Sequence, residues 1–200
     1  MLTLAEKQAQ FSSYFLMEHA LPINIVPATP EQASQDMHTF EQSMPYVFRI
    51  AAEMSEIEAQ ALRPFRNMGE KFEDLVNYLQ LQAKKMDLMM SYILQEQDDP
   101  AYRTKSHKFG GGGLIVHTNT LVENGTPVVV KLFLEDEAAA VYCLAESIDS
   151  EPLDSTQEEY ATSYYFTHIR EQDQELLVRA SLHLQTKMLR QQKSTREEQK

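Results

Sequence analysis

The chain has 200 residues, 42% of them hydrophobic and 24% charged, the composition of an ordinary globular protein with one full core and room for an elaboration. A formal net charge of −12 argues against general attraction to nucleic acid or anionic lipid, because those partners bind clustered Lys and Arg. The single cysteine, Cys143, excludes an intrachain disulfide and a thiolate metal site; with no secretory leader and no apolar run of membrane-spanning length, a reducing cytoplasm is the expected compartment and no membrane insertion is expected.

Along the chain, ALPINIVPA at residues 20–28 is a β-branched run between prolines and reads as one strand, far in sequence from any partner. Residues 29–96 hold no convincing strand. After Pro64 the positions Phe65, Met68, Phe72, Leu75, Leu79, Gln82, Met86, Met89 and Ile93 follow alternating steps of three and four, and eight of the nine are apolar. That is the pattern of a coiled-coil seam, with Gln82 as the kind of polar residue that fixes register or oligomer number. A helix of this length spans about 45 Å at 1.5 Å per residue, more than a small barrel covers, so the seam is expected to join chains. The competing arrangement is a hairpin in which Met54, Ile57, Ala61 and Leu62 cover the stripe, although Pro45 and Pro64 would cut that partner short. The sequence leaves both open.

Near QDDPAY, residues 97–102, the period changes. YRTKSHKF, GLIVHTN, TPVVVKLFL, AAAVYCLAESID and YATSYYFTHI are rich in Val, Ile, Tyr, Phe and Thr, and turn signals ENGTP and LEDE separate some of them. With the early strand they make six, and closing them as a small barrel or a curled sheet removes exposed edges. Residues 170–193 then read as a helix, acidic in its first turn and basic in its last. Leu176, Leu177, Ala180, Leu184 and Met188 form its apolar face, suited to the open side of the barrel, and the chain should fray from about residue 191. The expected class is α+β: an N-terminal segment with the first strand (1–30), a helical insertion (31–99), the rest of the barrel (100–170) and a C-terminal helix with a tail (171–200).

Four of the six glycines stand together at 110–113, in KSHKFGGGGLIVHT. A phosphate-cradling loop would need a following Lys and Ser or Thr at a helix start, yet Leu114, Ile115 and Val116 open a strand. No G-x-S-x-G elbow occurs, and the six histidines lack metal-ligand spacing, so neither an enzyme, a cofactor nor a metal is expected. The remaining use is a tight connection at which other backbone comes close. Arg103, Lys105 and His107 alternate in the strand before it and would project together beside the turn; an ordinary solvated strand face is the competing reading. Cys143, between Val141 and Ala145, reads as a small core residue.

The ordered series of ALPINIV, a Gly-rich turn into GGLIVHT, LVENGTPVVVKLFLE, AAAVYCLAESID and YYFTHIREQDQELLVRASLHLQTKMLR resembles a PilZ domain over residues 14–29 and 102–192. The long heptad helix after the first strand is similar to the atypical, tetrameric branch of that family. The resemblance implies a six-stranded barrel in a bacterial cyclic di-GMP signalling protein that assembles with its own copies, most simply as a tetramer, and docks a protein partner in signalling or motility. PilZ domains hold the dinucleotide with R-x-x-x-R before the first strand and [DN]-x-S-x-x-G at the glycine turn. Here the first motif falls on Ser12 and Leu16, and the second on Lys108, Gly110 and Gly113, keeping only the last glycine. The usual grip is therefore absent, and a receptor would need a rewired site around Arg103, Lys105, His107, Lys108, Gly110 and Gly113.

Overall fold

The computed structural model describes residues 2–62, 73–153 and 159–198. Seven strands form one antiparallel sheet: β1 (Met17–Glu18), β2 (Pro22–Pro27), β3 (Arg103–Gly110), β4 (Gly113–Thr118), β5 (Pro127–Leu134), β6 (Ala139–Pro152) and β7 (Tyr160–His168). Their order is β1-β3-β2-β5-β6-β7-β4, and a further pairing of β3 with β4 closes the sheet on itself. Six strands make the barrel, as expected; β1 is an addition beside β3, whose other end pairs with β2. The long β6 serves two neighbours, β5 with its first half and β7 with its second, and shifts register at Leu144/Ala145 and Ser147/Asp149. Such bulges bend a strand and increase its twist, which helps a sheet of few strands curl shut.

Alternate residues of β5 and β6 point into the barrel. Val128, Val130, Leu132 and Leu134 meet Val141, Cys143 and Ala145, together with Ile23, Phe109, Leu114, Val116 and Phe166. A helix, α6 (Glu171–Glu198), closes one side with Leu176, Leu177 and Ala180 buried and Leu184 at the margin. Met188, expected on the same face, is exposed, and the helix extends to Glu198.

The outer face of the same two strands is apolar as well. Val129, Phe133, Ala140, Tyr142 and Leu144 are buried beneath the helical insertion, which is the reason VVVKLFL and AAAVYCLA read as nearly continuous apolar runs. The insertion consists of α2 (Pro30–Ser34), α3 (Met37–Ser43), α4 (Tyr46–Leu62) and α5 (Glu73–Gln95). Phe40, Met44, Phe48, Ala51, Met90 and Leu94 supply its buried surface, with Phe40 stacked on Tyr142 at 5.9 Å between ring centres. Arg170 ties the two halves together: it grips Asp173 with two bonds of 2.7 and 2.9 Å and donates to the Phe48 carbonyl at 3.2 Å. Burial raises the Asp173 carboxyl above its ordinary value, and the Arg170 bonds oppose that rise.

The sequence reading missed α1 (Leu4–Ser13). Its signal is a capping box: Thr3 accepts from the Glu6 amide, and the Glu6 carboxylate accepts from the Thr3 amide.

Candidate functional site

Gly110 pairs with Gly113, so Gly111 and Gly112 make the turn of a hairpin. None of the four adopts a positive φ, whereas Gly125 does, at 87°. Freedom from a side chain, not dihedral freedom, is what the run supplies. A Cβ on Gly110 would strike the Phe15 carbonyl, one on Gly112 the Tyr14 ring, and one on Gly113 the Tyr164 carbonyl and Phe11 ring. At Gly111 it would lie 3.0 Å from Val178 Cγ2. The close neighbour is thus mainly the N-terminal segment of the same chain. Buried Phe11 anchors α1, helped by Lys7 to Glu146 at 2.6 Å, Gln8 to the Ile148 carbonyl at 2.8 Å, and the Tyr165 hydroxyl donating to Gln10 at 2.6 Å.

The basic residues of β3 have different neighbours. Arg103 Nε lies 2.7 Å from Asp98, which also accepts from Asn24. Lys105 is exposed. Ser106 turns inward, donating to the His19 carbonyl at 2.8 Å and accepting from the Leu21 amide at 3.0 Å, and the strand shifts register between Ser106 and Lys108. The shift falls at His107, whose ring lies 4.5 Å from the exposed His117 ring, while Lys108 stands opposite Glu18 of β1. Three surface clefts of about 270, 490 and 230 Å³ are lined by none of Arg103, Lys105, His107, Lys108, Gly110 and Gly113. Cys143 is wholly buried, and burial pushes its thiol well up, which leaves it unreactive.

Helix α5 carries two apolar rows. Ala83, Met90 and Leu94 are buried against the rest of the chain, a row that the heptad count overlooked although it is visible at steps of seven and four. One position away, about 100° around the helix, Leu75, Met86, Met89 and Ile93 stand 43–59% exposed, with Leu79 and Gln82 half-buried between them. Phe65, Met68 and Phe72 lie outside the described residues. Tyr78, Leu81, Leu88 and Tyr92 are exposed on a third side. The hairpin alternative gains little support: Met54 is half-buried, but Ile57 and Ala61 face solvent. Among the described residues, α5 thus carries exposed apolar side chains on two sides besides its buried row.

No protein-family model matches the chain, and no curated protein matches it. Among solved structures, a Xanthomonas campestris pathogenic protein, described as a tetrameric PilZ domain self-assembled through an unusual helical bundle, superposes at TM-score 0.52. It is 17% identical, over 92% of this chain and 95% of that one. The chain has the PilZ fold. The Bacillus subtilis inhibitor of motility (MotI/DgrA) superposes at TM-score 0.45 with 12% identity over 88% of this chain, which spans 51% of that protein. In this PilZ fold the two positions of the expected arginine motif belong to the segment that covers the glycine hairpin. Ser12 lies in α1 with its hydroxyl on the Gln8 carbonyl, and Leu16 would come within 3.1 Å of a Cβ on Gly110. Among the described residues no group of three metal-ligating side chains gathers, and no helix is long and apolar enough to cross a membrane.

Proposed function

We propose that this chain is a non-enzymatic, PilZ-type adaptor of a cyclic di-GMP-related bacterial pathway, working in the cytoplasm as a homotetramer held by α5. The exposed row Leu75, Met86, Met89 and Ile93 carries the reading, since leaving it in water forfeits most of the transfer free energy of four large side chains. The sequence continues that row toward Phe65, Met68 and Phe72, and the bundle of the Xanthomonas protein supports four chains. Signal output then passes to a signalling or motility protein through the barrel surface, without the dinucleotide. The α1 segment on the glycine hairpin and the salt-bridged Arg103 support that last point.

Light scattering tests the assembly: a tetramer is expected at tens of micromolar, and a monomer there ends the reading. Calorimetric titration with cyclic di-GMP is expected to give no binding. Micromolar binding that Arg103→Ala abolishes would establish instead a receptor using Arg103, Lys105, His107 and Lys108 with Gly110 and Gly113.

A further inference from the structure

Two of the six histidines meet on the outside of the barrel, although they stand ten positions apart in the sequence with none of the spacing that marks a metal site. Pairing of β3 with β4 brings them together. Ser106 lies opposite Val116 and Lys108 opposite Ile115, which leaves His107 as the extra residue of the bulge. Val116 is buried, so His117, the next residue, points outward and is exposed; the His107 ring reaches it with 4.5 Å between ring centres and 34° between planes. The bulge is held from behind. The His107 carbonyl accepts from the His19 amide at 3.1 Å, and the Ser106 hydroxyl bonds the His19 carbonyl and the Leu21 amide. Both rings therefore sit on a fixed piece of sheet.

Neither imidazole has a hydrogen-bond or ion-pair partner among the described residues; each touches the other ring instead. His183, by contrast, is paired with Glu137 at 2.7 Å, and His168 lies against Phe40 and Thr167. Open ring nitrogens on two neighbouring imidazoles are the donor set of a chelate for a borderline divalent metal such as nickel, copper or zinc. The spacing fits. Two imidazole nitrogens bound cis to one metal at about 2.0–2.1 Å put the ring centres about 4.5–5 Å apart. Rotation of the rings about χ2, which is a soft torsion, turns the nitrogens toward the shared position without moving either strand. Lys105, exposed two positions before His107, keeps its ammonium in water on a flexible stem. A pair is fewer than the three or four protein ligands of a catalytic or structural zinc site, and no group of three is present among the described residues, so water would fill the metal's remaining positions.

We infer that His107 and His117 form a two-imidazole site for a divalent transition metal, a staple across β3 and β4 at the bulge. This site depends neither on assembly through α5 nor on the dinucleotide. Calorimetric titration of the full-length chain with nickel(II) in a non-chelating buffer tests it. One saturable site per chain is expected, with copper(II) binding tighter and with manganese(II) and magnesium(II) giving no matching site. His107→Ala and His117→Ala should each weaken nickel binding about tenfold or more, because the second imidazole of a chelate binds at high effective concentration. His19→Ala and His183→Ala should leave it unchanged. Since His117 is exposed and His107 half-buried on the outer face, circular dichroism of these variants is expected to match that of the parent. Nickel should raise the melting temperature of the parent and not that of either pair variant, as binding to the folded state requires. No saturable nickel binding at millimolar metal, equal binding of magnesium, or full affinity in either pair variant would overturn the site. So would an equal loss on replacing His183, which would move the binding to the His183 and Glu137 pair.

Discussion

The barrel and the helical insertion treat the same problem differently. In the barrel, strand closure pairs the backbone edges, and α6 and the insertion cover β5 and β6 on both faces, so Cys143, Val130 and Ile23 are completely buried within one chain. In the insertion, among the described residues, one row of α5 is buried and a second, equally apolar row is largely exposed. The first region is covered within one chain, and the second leaves large apolar side chains exposed among the described residues. Scattered apolar side chains are ordinary on a protein surface, whereas a contiguous exposed row is the kind of patch that marks an interaction site.

The sharpest way to break that contrast is to charge the outer row of α5. Leu75→Asp with Leu79→Asp should reduce the particle to a smaller species by light scattering with strand circular dichroism kept. Each lost Leu burial is worth about 1.5–3 kcal/mol, repeated in every copy. A variant that keeps its mass would show the row to be ordinary surface.

Next in size is the joint between the regions. Arg170→Met leaves Asp173 buried beside the open Phe48 carbonyl, and breaking a buried pair from one side costs about 3–5 kcal/mol. With the guanidinium gone, burial and the Glu41 charge act unopposed on a carboxyl already raised, so the folded state favours the protonated form. The stability of this variant should therefore be best below the ordinary carboxylate range and fall as pH rises through the raised value, as thermal melts across that range would show. A pH-independent deficit would mean that Asp173 has found another partner.

Inside the barrel, Gly113→Val should cost about 1–3 kcal/mol, because the new side chain must displace the Tyr164 carbonyl or the Phe11 ring rather than adopt a forbidden φ. Removing α1 together with Phe15 should relieve that cost in part. An equal loss with and without the segment would place the strain in β7 alone. The smallest effect belongs to Gln82, half-buried in the α5 row: Gln82→Leu should raise the melting temperature slightly while broadening the distribution of oligomer sizes in native mass spectrometry. Lower stability with a single species would indicate that Gln82 is hydrogen-bonded in the assembly.

Much of this architecture is written locally. The β-branched and aromatic runs TPVVVKLFL and YATSYYFTHI, the turns between the strands, and the heptad steps of α5 each depend on residues close in sequence, so the chain order of strands and helices could be read directly. The resemblance to a PilZ domain rested on the same order. The closure of β3 on β4, the appended β1 and the dual cover of β5 and β6 could not be read, because they pair residues far apart.

The same division runs through the candidate site. Spacing alone placed the glycines at a strand connection where backbone approaches closely, and that approach is present. Only the tertiary structure decided that α1 supplies it, through Phe11, Tyr14 and Phe15, about a hundred residues away in sequence. Alternation put Arg103, Lys105 and His107 on one face and Ser106 on the other, and Ser106 does turn inward to bond the His19 and Leu21 backbone; what alternation could not show is the register shift at His107. Periodicity fixes which way a side chain points when its neighbours are regular. Which distant groups that side chain meets is set by the tertiary structure: the buried Ser106 hydroxyl serves the His19 carbonyl and Leu21 amide, groups that would cost about 1–3 kcal/mol each if left unpaired.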